Sequence, residues 1–155
     1  MLELKGNYDI FNLPQEGEAM CVTTNGIVKS NGHAVMGAGI AKTANEKFHL
    51  SEKLGSYLTK YGNRAFNLGK YKRLSNNATF MVLSFPTKHN WRDDSDINLI
   101  MKSCEELMRI CDKWNITKCY ITPPGCACGR LDYESAVKPC ISQILDDRFI
   151  VVLRK

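Results

Sequence analysis

With 155 residues, 44% of them apolar, the chain is one domain long with enough apolar content to close a single core, so a single folded unit is expected rather than a disordered segment. Its formal charge of +5 comes from dispersed residues such as Lys60, Arg64, Lys70, Lys72 and Arg73, with no dense block, so a polybasic tail is excluded and solvated faces that also draw in anionic substrates are expected. The seven cysteines, an odd number with several inside apolar runs, fit a reducing cytosol better than a secreted disulfide framework.

The start, MLELKGNYDI, has no basic segment followed by an apolar run, and no later stretch is apolar and long enough to span a bilayer. The protein is therefore expected to be soluble, cytoplasmic and without membrane contact. Leu2 to Leu4 and Ala19 to Thr24 read as strands separated by a loop containing Pro14. A helix is predicted from Gly39 through Phe48, because Ile40, Ala44 and Phe48 recur every four residues, and a second presents Leu54, Leu58 and Tyr61 on one side. A short extended segment over Ala65 to Leu68 and a buried strand over Thr79 to Phe85 follow, with Asn76-Asn77 turning the chain between them.

The clearest helix runs from Asp96 to Trp114, with Ser95 as N-cap. Its stripe of Ile97, Ile100, Met101, Cys104, Leu107, Met108, Cys111 and Trp114 is core, so these thiols and thioethers are assigned no chemistry. Lys118 to Thr122 is a strand, Glu134 to Leu145 a helix with Val137, Ile141, Ile144 and Leu145 inward, and Phe149 to Leu153 a last strand. Strands alternating with helices predict a single domain over 1–155, an α/β fold with a three-layer α/β/α sandwich around a mixed, largely parallel sheet. There is no internal repeat or low-complexity segment.

The segment Asn25 to Ile40 leaves a strand and places Gly37 and Gly39 at the opening of a helix. Glycine lets backbone approach a ligand closely, and the first-turn N–H groups of a helix have no internal partners, so an anion such as a diphosphate can supply them. Neither a Walker A sequence nor G-x-G-x-x-G is present. A second glycine-bearing loop, Pro123 to Glu134, also leaves a strand and leads into a helix. Two such loops are what a cleft at the carboxyl edge of an α/β sheet requires.

Lys5-Gly6-Asn7, Thr24-Asn25-Gly26, Met36-Gly37-Ala38-Gly39-Ile40-Ala41, Pro86-Thr87-Lys88 and Gly125-Cys126-Ala127-Cys128-Gly129-Arg130-Leu131 together resemble the ordered motifs of a macrodomain. The branch most similar contains the terminal ADP-ribose protein glycohydrolases and the small phage macrodomains, which implies action in a host cytoplasm if the chain is phage-encoded. The resemblance covers nearly the whole chain and implies a ligand, ADP-ribose or ADP-ribose 1''-phosphate, with no cofactor. Its implied binding residues are Asn7, Tyr8 and Asp9; Thr24, Asn25 and Gly26; Met36 to Ile40 through Gly37, Ala38 and Gly39; Pro86 and Thr87; and Pro124 to Leu131. At the adenine end an acid usually follows the first strand's glycine; here Asn7 stands there, with Asp9 two residues on, and both Tyr8 and Phe11 are conceivable aromatic partners of the base.

Asn25 reads either as a turn asparagine or, by the resemblance, as a residue beside the distal ribose, whose hydroxyls its amide can bond. Lys88 is the sharpest catalytic candidate, since an amine near other cations or in an apolar site becomes a nucleophile or base. In the glycohydrolase branch the matching lysine attacks the anomeric carbon, assisted by an acid on the second glycine loop, and here that acid's position is Gly129. The departure bears on the lysine mechanism more than on binding. His33 as general base, Asp132 filling the vacant space, or water oriented by Asn25 and the substrate all stay open.

Cys126 and Cys128 with His89 nearby lack zinc-site spacing, so no metal is expected. The preferred function is hydrolysis at the distal ribose, with ADP-ribose 1''-phosphate first and removal of ADP-ribose from a modified protein or nucleic acid close behind, by a chain acting as a monomer. A module that reads or sequesters ADP-ribose without turnover is the alternative, favoured by Gly129. A third reading, nucleic-acid binding by a basic surface, rests on the interleaved basic and aromatic residues of Tyr57 to Arg73.

Overall fold

The computed structural model describes residues 1–155. Its strands are β1 (Leu2–Lys5), β2 (Ala19–Thr24), β3 (Phe66–Lys72), β4 (Thr79–Pro86), β5 (Cys119–Ile121) and β6 (Phe149–Leu153), and its helices are α1 (Gly39–Phe48), α2 (Ser51–Tyr61), α3 (Ile97–Trp114) and α4 (Lys138–Ile141). They form one sheet in the order β1-β6-β5-β2-β4-β3, parallel throughout except for β3, which runs antiparallel to β4 at one edge. The expected mixed, largely parallel sheet with helices on both faces is what the chain forms.

The strands are buried on both sides, and their two-residue alternation splits the core in two. Ala19 and Cys21 of β2 and Met81, Leu83 and Phe85 of β4 pack with α3 and α4. Met20 and Val22 of β2 and Phe80 and Val82 of β4 face α1 and α2. Phe80 and Phe85 are fully buried on opposite faces, and truncating either to alanine costs about 3–5 kcal/mol.

Some boundaries and faces differ from expectation. Ser95 is not the cap of α3: the carboxylate of Asp96 accepts the N–H groups of Asn98 and Leu99. Tyr61 and Trp114, at the ends of their stripes, are about half exposed because the helices outrun the sheet they cover. In α1 the fully buried positions are Ala41 and Ala44, with Ile40 and Phe48 at the margins. The strand predicted as Ala65 to Leu68 extends to Lys72 around an irregularity between Asn67 and Lys70. The helix expected over Glu134 to Leu145 is a π-turn, Tyr133–Val137, followed by the single turn α4, because Pro139 has no N–H to continue the ladder. A 3-10 turn, Ile10–Asn12, occupies the loop after β1.

All five parallel strands end at one edge of the sheet, at Lys5, Thr24, Pro86, Ile121 and Leu153. The chain leaves β2 toward α1 on one face and β4 toward α3 on the other, and this change of side opens a crevice between the loops.

Candidate functional site

The crevice is a cleft of about 1490 Å³ at that edge, walled by the loops after β1, β2, β4 and β5 and by the end of β6. Residues 25–38 form its first wall. Asn25 closes that loop on itself: its Oδ1 accepts the Ile27 N–H at 3.0 Å and its Nδ2 donates to the Val35 carbonyl at 3.1 Å. Gly55 of α2 lets the loop lie against the helix, since a Cβ there would strike the Gly32 carbonyl. The loop ends at α1, whose N-cap Ala38 supplies no side-chain acceptor, so the N–H groups of Gly39, Ile40 and Ala41 have no partner in the protein. A side chain on Gly37 would meet nothing within 4 Å, and Gly39 takes a φ of 57°, a region glycine enters freely.

The facing wall is the loop after β5. The Leu131 N–H donates to the Gly125 carbonyl at 2.9 Å and the Arg130 N–H to the Ala127 carbonyl at 3.2 Å, which folds the loop tightly and leaves the N–H groups of Ala127, Cys128 and Gly129 without acceptors. Gly129 cannot carry a side chain, because its Cβ would coincide with Ser95 Oγ and press on the Gly125 carbonyl. Two sets of three free amides therefore line one cleft, one at a helix N-terminus.

At the β4 side stands Lys88, whose Nζ donates to the carbonyls of Cys128 at 3.0 Å and Trp91 at 3.4 Å. This is an ammonium acting as a clasp between two loops. Thr87 is buried beside it, and its N–H donates to the Thr24 carbonyl at 3.0 Å. At the β1 side, Asn7, Tyr8 and Asp9 line the cleft. Tyr8 is half exposed with its ring against Gly6, whereas Phe11 is buried with Phe48 at a ring separation of 6.0 Å. Of the two aromatics, Tyr8 is the accessible one. The Asp9 carboxylate is engaged by the Phe11 N–H at 3.0 Å.

Thr24, Met36, Ala38, Ile40, Cys126 and Cys128 also fall on the lining, as does Trp91 at the end of the segment after β4, together with Ser95, Thr122 and Arg154, which belong to none of the expected binding motifs. Arg154 has a readable signal, since it follows the end of a parallel strand at the same edge. Ser95 has none, because it reads as a cap. Burial pushes the Cys126 thiol up to about 11, consistent with packing under the loop.

His33 and Asp132 fall outside the lining. His33 Nδ1 pairs with Ser51 Oγ at 3.1 Å at the start of α2. Asp132 accepts the N–H and hydroxyl of Ser135 at 2.8 and 2.6 Å, and these bonds hold its carboxyl below the usual range. Gly26, Pro86, Pro124, Arg130 and Leu131 support the walls from behind: the Gly26 N–H donates to the His89 carbonyl at 3.1 Å, the Pro86 and Pro124 carbonyls accept from Ser103 Oγ and Cys126 Sγ, Arg130 pairs outward with Asp94 and Leu131 packs on the core. No three His, Cys, Asp or Glu side chains come together as a metal-binding group.

The basic and aromatic residues of Tyr57 to Arg73 are largely consumed by packing. Tyr57, Tyr61 and Phe66 cluster with centroids 5.2–6.3 Å apart, Arg64 pairs with the buried Glu106, and Arg73 donates to the carbonyls of Phe11 and Pro14.

No protein-family model and no curated protein sequence matches the chain. Among solved structures it is similar to the macrodomain of Mycobacterium tuberculosis DarG, with 23% identity, a TM-score of 0.74 and 99% of each chain covered. The macrodomain of Thermus aquaticus DarG gives 22% and 0.71, covering 99% of this chain and 98% of that one. Thermosipho africanus DarTG in complex with ADP-ribose gives 20% and 0.75, covering 99% of this chain and 42% of that one. This likeness supports the fold and not the phage or glycohydrolase branch: the chain has the macrodomain fold.

Proposed function

We propose that the protein binds ADP-ribose along the cleft and hydrolyses the linkage at its distal ribose. The observation that carries this reading is the pair of facing amide sets, Gly39 to Ala41 and Ala127 to Gly129. A diphosphate between them takes up six unpartnered donors and sits at the positive end of α1. We take its direction from Tyr8 and Lys88, which stand toward opposite ends of the cleft. The adenine lies toward β1, stacked on Tyr8, and the distal ribose toward β4, among Asn25, Lys88 and Trp91. The ADP-ribose complex of Thermosipho DarTG, a protein of the same fold, supports this choice of ligand.

At the distal end the Lys88 ammonium is placed to neutralise charge that develops on a departing oxygen. Attack by Lys88 itself requires release from two carbonyls and loss of a proton, and two acids that could assist are engaged elsewhere, Asp132 by Ser135 and Asp96 by its helix and His89. A water activated by the substrate is the simpler route, and it favours a leaving group that needs no strong base. ADP-ribose 1''-phosphate is therefore the first substrate and an ADP-ribosylated macromolecule the second. Gly129, which leaves no room for an acid on the second loop, also favours a second reading, a module that holds ADP-ribose without turnover.

Phosphorus NMR of the protein with ADP-ribose 1''-phosphate tests the proposal. Growth of free phosphate together with broadening of the diphosphate lines is expected. Broadening without release, repeated with ADP-ribosylated protein and DNA, leaves the non-catalytic reading, and no broadening removes the ligand assignment.

A further inference from the structure

Three buried side-chain polar atoms have no hydrogen-bond partner: Thr24 Oγ1, Asn63 Oδ1 and Ser95 Oγ. Two of the three belong to the cleft. Thr24 and Ser95 line it, and Asn63 lies against Gly26 with its Nδ2 on the Lys88 carbonyl at 3.0 Å. Buried polar groups are satisfied almost everywhere in proteins, so a cluster of exceptions calls for a cause.

Ser95 is the least expected of them. It is nine-tenths buried, and its backbone is fixed on both sides: its N–H donates to the Gly129 carbonyl at 3.0 Å, and the Asp96 N–H donates to the Thr87 carbonyl at 2.9 Å. Gly125 and Gly129 both turn their missing side chains toward it, with a Cβ on Gly125 falling 2.9 Å from Ser95 Cβ. Alanine would fill this space equally well without burying a hydroxyl that bonds to nothing. The hydroxyl also stands where the side chain of an acid at position 129 would begin.

We propose that Ser95 contacts the distal ribose, its hydroxyl supplying a hydrogen bond there, and that it lets the site discriminate ADP-ribose from ADP. Only one torsion is needed. With the backbone pinned, χ1 is the torsion left to Ser95, and its rotation would bring Oγ from under Gly129 toward the cleft that Ser95 lines. A neutral hydroxyl binds the sugar and supplies no base, in keeping with a loop that admits no carboxylate at position 129. The inference rests on the reading of the cleft as an ADP-ribose site.

Calorimetric titration of the wild type and Ser95→Ala with ADP-ribose and with ADP tests it. Wild type should bind ADP-ribose more tightly than ADP. Ser95→Ala should weaken ADP-ribose by about 5- to 20-fold and leave ADP within about twofold, with an unchanged thermal midpoint. Equal losses for both ligands would make Ser95 a structural prop, and no loss, or a wild type indifferent to the distal ribose, would equally overturn the assignment. Binding of neither ligand by the wild type would instead remove the ADP-ribose reading, and the role of Ser95 with it.

Discussion

Lys88 Nζ lies 3.0 Å from the carbonyl oxygen of Cys128, so the cation at the distal end of the cleft also ties the loop after β4 to the loop after β5. The proposed diphosphate seat, by contrast, is made of backbone amides. Lys88→Met should therefore lower hydrolysis by about 100-fold or more while weakening ADP-ribose by less than about tenfold. Product release and calorimetry on the same variant measure the two. Parallel losses would reduce Lys88 to a binding group.

Gly37 separates binding from folding. Its backbone is unstrained and a Cβ there meets nothing within 4 Å, so a large side chain projects into open space. Gly37→Tyr should abolish ADP-ribose binding and leave the thermal midpoint within about 1 °C of wild type, below the shift of about 2–4 °C that a 1 kcal/mol destabilisation gives in a chain of this length. A fall in midpoint matching the loss of binding would mean that the loop is held by contacts at Gly37.

Restoring an acid to the second loop should fail. In Gly129→Asp the first side-chain atom already collides with Ser95 Oγ and the Gly125 carbonyl, and the latter is backbone that cannot rotate away. The expected cost is about 1–3 kcal/mol, read as a lower urea midpoint, with no gain in turnover. Gly129→Ala should show most of the same penalty. A stable Gly129→Asp with faster hydrolysis would mean that the loop adapts to an acid.

Near-continuous apolar runs made β2, β4 and β6 legible, since residues such as Met20 and Cys21 point to opposite faces and both faces are buried. The two glycine loops were legible because parallel strands bring their ends to one edge. Which polar side chain remains free was not. Asp9 and Asp132 both read as available carboxylates, yet each is claimed by amides two or three residues downstream. Ser95 and Asp96 are both good cap residues, and only the backbone geometry decides between them. Pro139, whose missing N–H was readable, falls where the π-turn passes into α4.

The cap of α3 gives stability a defined pH dependence. Asp96 accepts from His89 Nε2 at 2.9 Å and from the N–H groups of Asn98 and Leu99, and these bonds, that of His89 foremost, hold its carboxyl below the ordinary range. A carboxyl depressed on folding contributes stability that is complete above its unfolded value of about 4 and is lost as pH falls through the folded value. Glu3 with Tyr133 and Asp146 with Arg148 are shifted in the same direction. Urea midpoints should therefore be flat with respect to these groups above about pH 5 and decline below about pH 4. Asp96→Ala should lower stability at neutral pH by about 1 kcal/mol and make the acid decline shallower. Asp96→Asn should keep the cap yet show the same shallower decline, because asparagine accepts the two N–H bonds without titrating. If both variants retained the wild-type acid slope, the decline would belong to the other carboxylates, and Asp96 would act through geometry alone.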